Sequence, residues 1–306
     1  MDTRLLGASG IEVGSIAFGC WRFGGVDVKV ARERIETALA CGMTLVDTAD
    51  VYGLDNGCPW GAAEELLGRV FAEAPELRSR ITLATKGGIH LGPAHRGRAG
   101  LGIPYDSSPE WITEACDASL RRLQVDVIDL YQIHRPDLLA HPAAVGDALS
   151  SLVAVGKVRH IGVSNYSAAQ VRALLAHLDV PLVTVQPEFS VAHLEPIDDG
   201  VFDQAMELGL TPLAWSPLAG GRLVGDEPQS SPWTSIRAVL DELARAHGTT
   251  RTVIALAFVL GHPAGVVPIV GTGRPERIRE AATAVNVQLD KAEVYRLIAA
   301  AGRVLP

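Results

Sequence analysis

Three short apolar runs in the sequence end on a polar side chain of catalytic type. Asp47 closes Thr44-Leu45-Val46, Lys86 closes the run 81–85, and His134 closes Leu130-Tyr131-Gln132-Ile133, while Tyr52 follows in the loop beyond Asp47. Taken singly, each has an ordinary explanation: a strand-end Asp caps a helix, a Lys is solvated, and a His is held in place by hydrogen bonds. Taken together, Asp, Tyr, Lys and His make an acid–base set able to give, take and hold a proton, provided that the fold brings the four ends to one place.

The elements around them suggest that it does. Apolar or β-branched runs recur at 15–18, 44–47, 81–85, 128–133, 160–163, 183–186, 211–215 and 266–270. Stretches with helical periodicity follow them at 28–41, 62–71, 109–123, 142–155, 168–177, 200–208, 236–260 (broken near Gly248) and 275–284. Strict alternation of strand and helix calls for parallel strands joined by helical crossovers. Eight such units predict an α/β protein with a closed (β/α)8 TIM barrel, although an open doubly wound sheet shares the pattern. In the barrel, active-site groups gather where strands end, which is where Asp47, Lys86 and His134 stand.

Before the first unit, Gly7-Ala8-Ser9-Gly10 separates two short apolar stretches and predicts an N-terminal β-hairpin that plugs the barrel floor. After the last, 291–301 predicts an extra C-terminal helix. Two long loops, 87–108 and 216–232, are of a length that often serves binding. No linker or low-complexity tract divides the chain, so residues 1–306 are expected to form a single domain.

Several blocks carry a resemblance. Leu45-Val46-Asp47-Thr48-Ala49-Asp50-Val51-Tyr52-Gly53 followed by Glu64-Glu65-Leu66-Leu67-Gly68, then Thr85-Lys86, Gln132-Ile133-His134-Arg135-Pro136-Asp137 and Gly156-Lys157-Val158-Arg159-His160-Ile161-Gly162-Val163-Ser164-Asn165, are similar to the motifs of the aldo-keto reductase superfamily. Phe18-Gly19-Cys20-Trp21-Arg22 and Trp215-Ser216-Pro217-Leu218-Ala219-Gly220-Gly221-Arg222-Leu223 are most like a bacterial branch of predicted oxidoreductases. The resemblance implies reduction of an aldehyde or ketone with NADPH, NADH being a weaker alternative. It makes Tyr52 the general acid, Lys86 the ammonium expected to lower the phenol pKa, Asp47 its anchor, and His134 the group that orients the substrate oxygen.

The same resemblance implies the cofactor contacts. Ser164, Asn165 and Gln186 would hold the nicotinamide carboxamide, with Phe189 stacking on the ring in place of the usual Tyr. Gly19 and Cys20 would lie beside the cofactor, and Ser216, Leu218, Gly220 and Arg222 would grip the pyrophosphate. Gly271, Thr272, Arg274, Arg277 and Glu280 would form the adenosine-phosphate site. Here the sequence departs from the family in two places: Ala281 stands where Asn usually follows the acid, and the Lys common near Gly271 is missing, with Arg274 as its substitute. A Gly-x-Gly-x-x-Gly turn after the first strand is absent; Gly271-Thr272-Gly273 imitates it only weakly.

Trp21 and Trp60 follow the first and second strands and are expected in the substrate pocket. Oxidation of an aldose or alcohol by the same residues, and an NADPH-binding regulatory or sensor barrel, remain alternatives. With a net charge of −8 the chain lacks the basic footprint of a nucleic-acid binder. No apolar run reaches the roughly 18 residues of a membrane span, and the N-terminus has no signal-like core, which predicts a cytoplasmic protein working on a small carbonyl compound as a monomer or weak homo-oligomer. Cys20, Cys41, Cys58 and Cys116 lack metal-ligand spacing, so thiols and no metal are expected.

Overall fold

The computed structural model describes residues 2–90, 105–225 and 232–304. Strands β1 (Thr3–Leu5) and β2 (Glu12–Gly14) form an antiparallel hairpin, with Arg4 opposite Val13. Eight further strands follow: β3 (Ala17–Gly19), β4 (Leu45–Asp47), β5 (Thr82–Gly87), β6 (Ile128–Ile133), β7 (Val158–Ser164), β8 (Leu182–Gln186), β9 (Thr211–Ala214) and β10 (Val267–Val270). They close in sequence order, β10 pairing with β3, and every pairing is parallel. This is the predicted (β/α)8 barrel.

The crossovers are helical: α1 (Val28–Ala40), α2 (Ala62–Glu73), α3 (Pro109–Leu123), α4 (Pro142–Ala154), α5 (Ala168–Leu175), the short α6 (Glu195–Asp198), α7 (Val201–Leu208), α8 (Trp233–Ala246), α9 (Arg251–Leu260), α10 (Pro275–Ala282) and the terminal α11 (Lys291–Ala300). The long periodic stretch 236–260 resolves into α8 and α9. They separate at Gly248, whose φ of +62° is open to glycine, and α9 restarts on Thr250, whose side chain accepts from the Val253 amide.

Two buried clusters fill the molecule. The larger lies between strands and helices. The smaller takes Ala17, Leu45, Ala84, Leu130, Val183, Leu213 and Val267 from seven different strands, and Leu6 and Val13 of the hairpin join it. The hairpin closes the floor as expected: the Gly7 amide donates to Thr211 Oγ1 at 2.7 Å, and that hydroxyl donates to the Leu5 carbonyl at 2.9 Å. Gly7 has φ +54°, and a Cβ there would lie 2.4 Å from the Val183 carbonyl oxygen, so no larger residue fits the plug.

Side chains alternate along a strand, so residues two apart share a face. Leu45, Ala84 and Leu130 pack in the inner cluster; Asp47, Lys86 and Gln132 therefore project into the same lumen one layer higher. The apolar lower layers hold the polar upper layer in register.

Candidate active site

At the open mouth the Lys86 ammonium is completely buried and makes three hydrogen bonds: to Asp47 Oδ2 at 2.6 Å, to the Thr48 carbonyl at 2.9 Å and to Tyr52 Oη at 3.1 Å. The His134 ring stands edge-on to the Tyr52 ring, with centroids 5.9 Å apart. The four residues picked from sequence thus converge. Tyr52 is delivered by the loop after β4, which the bond from the Tyr52 amide to the Ala49 carbonyl folds back and the bond from the Ala63 amide to the Tyr52 carbonyl ties to α2.

Burial is the strongest influence on each titrating group. It raises the Tyr52 phenol above its ordinary value, while Lys86 pulls the other way and Asp47 adds to the rise. The expected lowering by Lys86 is therefore present as a contribution but outweighed, and the phenol stays protonated at neutral pH. Burial opposes the Lys86 charge, but Asp47 and Tyr52 together hold it above the usual lysine value. The His134 imidazole lies well below its usual value through burial first, then Lys86 and Arg135, so it is neutral.

A cleft of about 1040 Å3 runs from Tyr52 and His134 to Arg277 and Glu280. It exceeds the roughly 300–1,000 Å3 typical of small-ligand pockets. Of the sequence-predicted residues, Gly19, Trp21, Ser164, Asn165, Gln186, Ser216, Leu218, Gly220, Gly271, Thr272, Arg274, Arg277 and Glu280 line it. Asn165 and Ser216 adopt φ of 60° and 50°, a strained choice for non-glycine residues of the kind that clusters at functional sites. Asn165 donates to Ser164 Oγ and to the His134 carbonyl, and Ser164 Oγ donates to the Gln186 carbonyl.

Four expected residues lie elsewhere. Phe189 is fully buried among Phe202, Phe258 and His262, behind the barrel wall, and cannot stack on a ligand in the cleft. Trp215 does line the cleft, and its indole N–H donates to Asn165 Oδ1 at 3.0 Å. Cys20 is buried off the cleft, its thiol raised by burial and by Asp47. Arg222 is exposed and lies over the Trp233 ring, and Trp60 is half-buried; neither lines the cleft.

Sequence reading missed Arg34, Arg135 and Thr250, all on the cleft wall. Arg34 had a signal: it occupies the buried face of α1 with Ala31, Ile35 and Ala38, a position that normally takes an apolar residue. Trp215 ends a strand at the barrel mouth, which is the criterion that found His134. Residues 91–104 and 226–231 of the two long loops lie outside the described residues. The four cysteines are free thiols, and no described helix is long and apolar enough to cross a membrane.

Comparison with known proteins agrees with this fold. Residues 15–301 match the model of the aldo/keto reductase family. A 6-dehydroglucose reductase of Novosphingobium aromaticivorans is 47% identical over 306 residues, covering 99% of this chain and 97% of the relative. One from Agrobacterium fabrum is 37% identical over 290 residues, 94% of each chain. The crystal structure of a thermostable aldo-keto reductase in complex with the inhibitor epalrestat superposes with a TM-score of 0.80 at 27% identity, over 98% of this chain and 100% of that one. The chain belongs to the aldo/keto reductase family. It is an oxidoreductase of the carbonyl-reducing type.

Proposed function

We propose that this protein reduces an aldehyde or ketone to an alcohol with NADPH, Tyr52 giving the proton. The observation that carries the reading is the 3.1 Å contact between Lys86 Nζ and Tyr52 Oη at the mouth of the cleft. A protonated phenol is the required starting form of an acid, and burial keeps it so. As the substrate oxygen gains electron density, the phenol proton moves to it, and Lys86 stabilises the phenolate left behind. Neutral His134 orients that oxygen by donating a ring N–H, without competing as a stronger acid. Asp47 keeps Lys86 charged and in place.

The cleft fits a phosphorylated dinucleotide. Among the described residues, no carboxylate pairs with the Arg274 or Arg277 guanidinium at its far end, and the Gln186 side-chain oxygen takes no hydrogen bond from the protein, leaving it open to a carboxamide N–H. Ser164 and Asn165 flank that position, Trp215 supplies the aromatic wall, and Arg277 meets the phosphate. When bound, the nicotinamide supplies the hydride.

The relatives named for 6-dehydroglucose make a sugar carbonyl the first substrate to try. Purified protein is assayed for NADPH consumption with 6-dehydroglucose, 4-nitrobenzaldehyde and a panel of aldehydes and ketones. Turnover of at least one carbonyl is expected; none across the panel, with no binding of NADPH, overturns the reading.

A further inference from the structure

Arg34 is a charged side chain in a place that an apolar residue would ordinarily fill. Only 9% of it is exposed, yet it borders the cleft. Its Nη1 donates to the Arg22 carbonyl at 3.0 Å, its Nε is buried without a partner, and its guanidinium lies 5.9 Å from the Phe23 ring centroid. No carboxylate pairs with it among the described residues. A guanidinium does not escape this by losing its proton, and a buried charge left without a counter-charge is costly.

Its surroundings point to what is missing. A Cβ on Gly273 would fall 3.0 Å from Arg34 Nη2, so the bare glycine lets the guanidinium lie against the Gly271-Thr272-Gly273 segment. Arg22 Nη1 reaches the Gly271 carbonyl at 2.7 Å on the same segment. Arg22, Arg34, Arg274 and Arg277 all border this part of the cleft. Among the described residues, the carboxylates on the cleft wall are Asp47, held by Lys86, and Glu280, which accepts from Thr250 Oγ1. In a chain of net charge −8, so local an excess of guanidinium calls for an anion.

We propose that Arg34 is a phosphate-binding residue, a guanidinium presented by α1 to a phosphoryl oxygen of the dinucleotide. The inference rests on the NADPH reading above and deepens it. Gly271, Gly273 and Arg22 form the notch through which the α1 side chain reaches the ligand. Two phosphoryl groups have the required chemistry, the pyrophosphate shared by NADH and NADPH and the 2′-phosphate of NADPH alone.

The test is titration of tryptophan fluorescence, Trp21 and Trp215 being on the cleft wall, with NADPH and with NADH. Wild type comes first: if it does not bind NADPH, the cofactor reading itself fails, whatever Arg34 does. Given binding, Arg34→Gln is expected to weaken NADPH at least about 10-fold, the effect of one hydrogen bond to a charged group, while Arg34→Lys keeps most of the affinity. Arg34→Met, neutral and of similar length, repeats the measurement if the glutamine variant does not fold. A loss confined to NADPH assigns the contact to the 2′-phosphate, and an equal loss with NADH assigns it to the pyrophosphate. Unchanged affinity in the neutral variants, or a loss as large in Arg34→Lys as in Arg34→Gln, overturns the proposal, since charge is then not what the ligand senses.

Discussion

Gln186 donates its side-chain amide to Asp47 Oδ1 at 3.0 Å, while the other oxygen of that carboxylate takes the Lys86 ammonium at 2.6 Å. Asp47 is thereby held from two sides of the barrel, by β8 and by β5. The residue assigned to the nicotinamide amide is two hydrogen bonds from the ammonium that touches Tyr52. The position of the Tyr52 hydroxyl is thus tied to the wall of the cleft.

Tyr52→Phe keeps the ring against His134 and removes the proton. Turnover should fall by roughly two to four powers of ten, the usual contribution of a general acid, with NADPH affinity almost unchanged. Single-turnover stopped-flow reads both; hydride transfer at the wild-type rate would remove Tyr52 from the mechanism.

Lys86→Met strips the counter-charge from Asp47, which is only 2% exposed. Breaking a buried ion pair from one side typically costs about 3–5 kcal/mol, so the midpoint of urea unfolding should drop markedly. Adding Asp47→Asn should recover stability but not turnover, because the charge behind the phenolate is gone in both. Equal stability of single and double variants would show that the unpaired Asp47 carboxylate carries no such cost.

His134 makes a prediction about acid. Its folded-state pKa lies well below the ordinary imidazole value, so the unfolded chain takes up the proton first as pH falls. Its contribution to stability is full above about pH 6.5 and is lost as pH drops toward the lowered value, with a slope of at most about 1.4 kcal/mol per pH unit. Urea unfolding near pH 7.5 and pH 5.5 should therefore show a smaller acid loss in His134→Gln than in wild type. His160 and His262, also lowered by burial, remain in both proteins and cancel in the comparison.

The barrel and the convergence of Asp47, Tyr52, Lys86 and His134 were legible because period-two strands alternating with period-3.6 helices leave few topologies, and because strand ends in a barrel share one mouth. What sequence did not reveal was which way a side chain turns once the strand has ended. Phe189 and Trp215 stand in adjacent loops joined by the bond from the Phe189 amide to the Trp215 carbonyl, yet one ring turns into the helix layer and the other onto the cleft. Alternation does not extend into a loop, so the ring expected on the cleft is one that the fold buries behind it.

That correction separates two phenotypes. Phe189→Ala empties a fully buried site and should cost about 3–5 kcal/mol of stability, with cofactor affinity per folded molecule unchanged. Trp215→Leu should leave the core intact and weaken both NADPH and NADH by removing the aromatic wall and the bond to Asn165. Melting curves and fluorescence titrations distinguish them; loss of cofactor affinity in folded Phe189→Ala would return the stacking role to Phe189.

Arg277 is the residue expected to set the choice between NADPH and NADH. The two cofactors differ by a 2′-phosphate, which a guanidinium can meet with two parallel charge-assisted hydrogen bonds. Arg277 sits in the first turn of α10, its amide bonded to the Arg274 carbonyl, so its side chain starts from a fixed backbone position at the cleft edge. The site opens to solvent, which holds the contact to about 1.5–3 kcal/mol, or roughly 10- to 150-fold in affinity. Arg277→Ala should weaken NADPH by that factor and leave NADH nearly unchanged. The rate of hydride transfer at saturating NADPH should be spared, because a contact remote from the nicotinamide is equal in ground and transition states. Raising the salt concentration should erode the NADPH preference of wild type more than that of the variant, since the interaction being screened is a charge pair. Equal losses for the two cofactors, or none for either, would show that Arg277 does not read the phosphate.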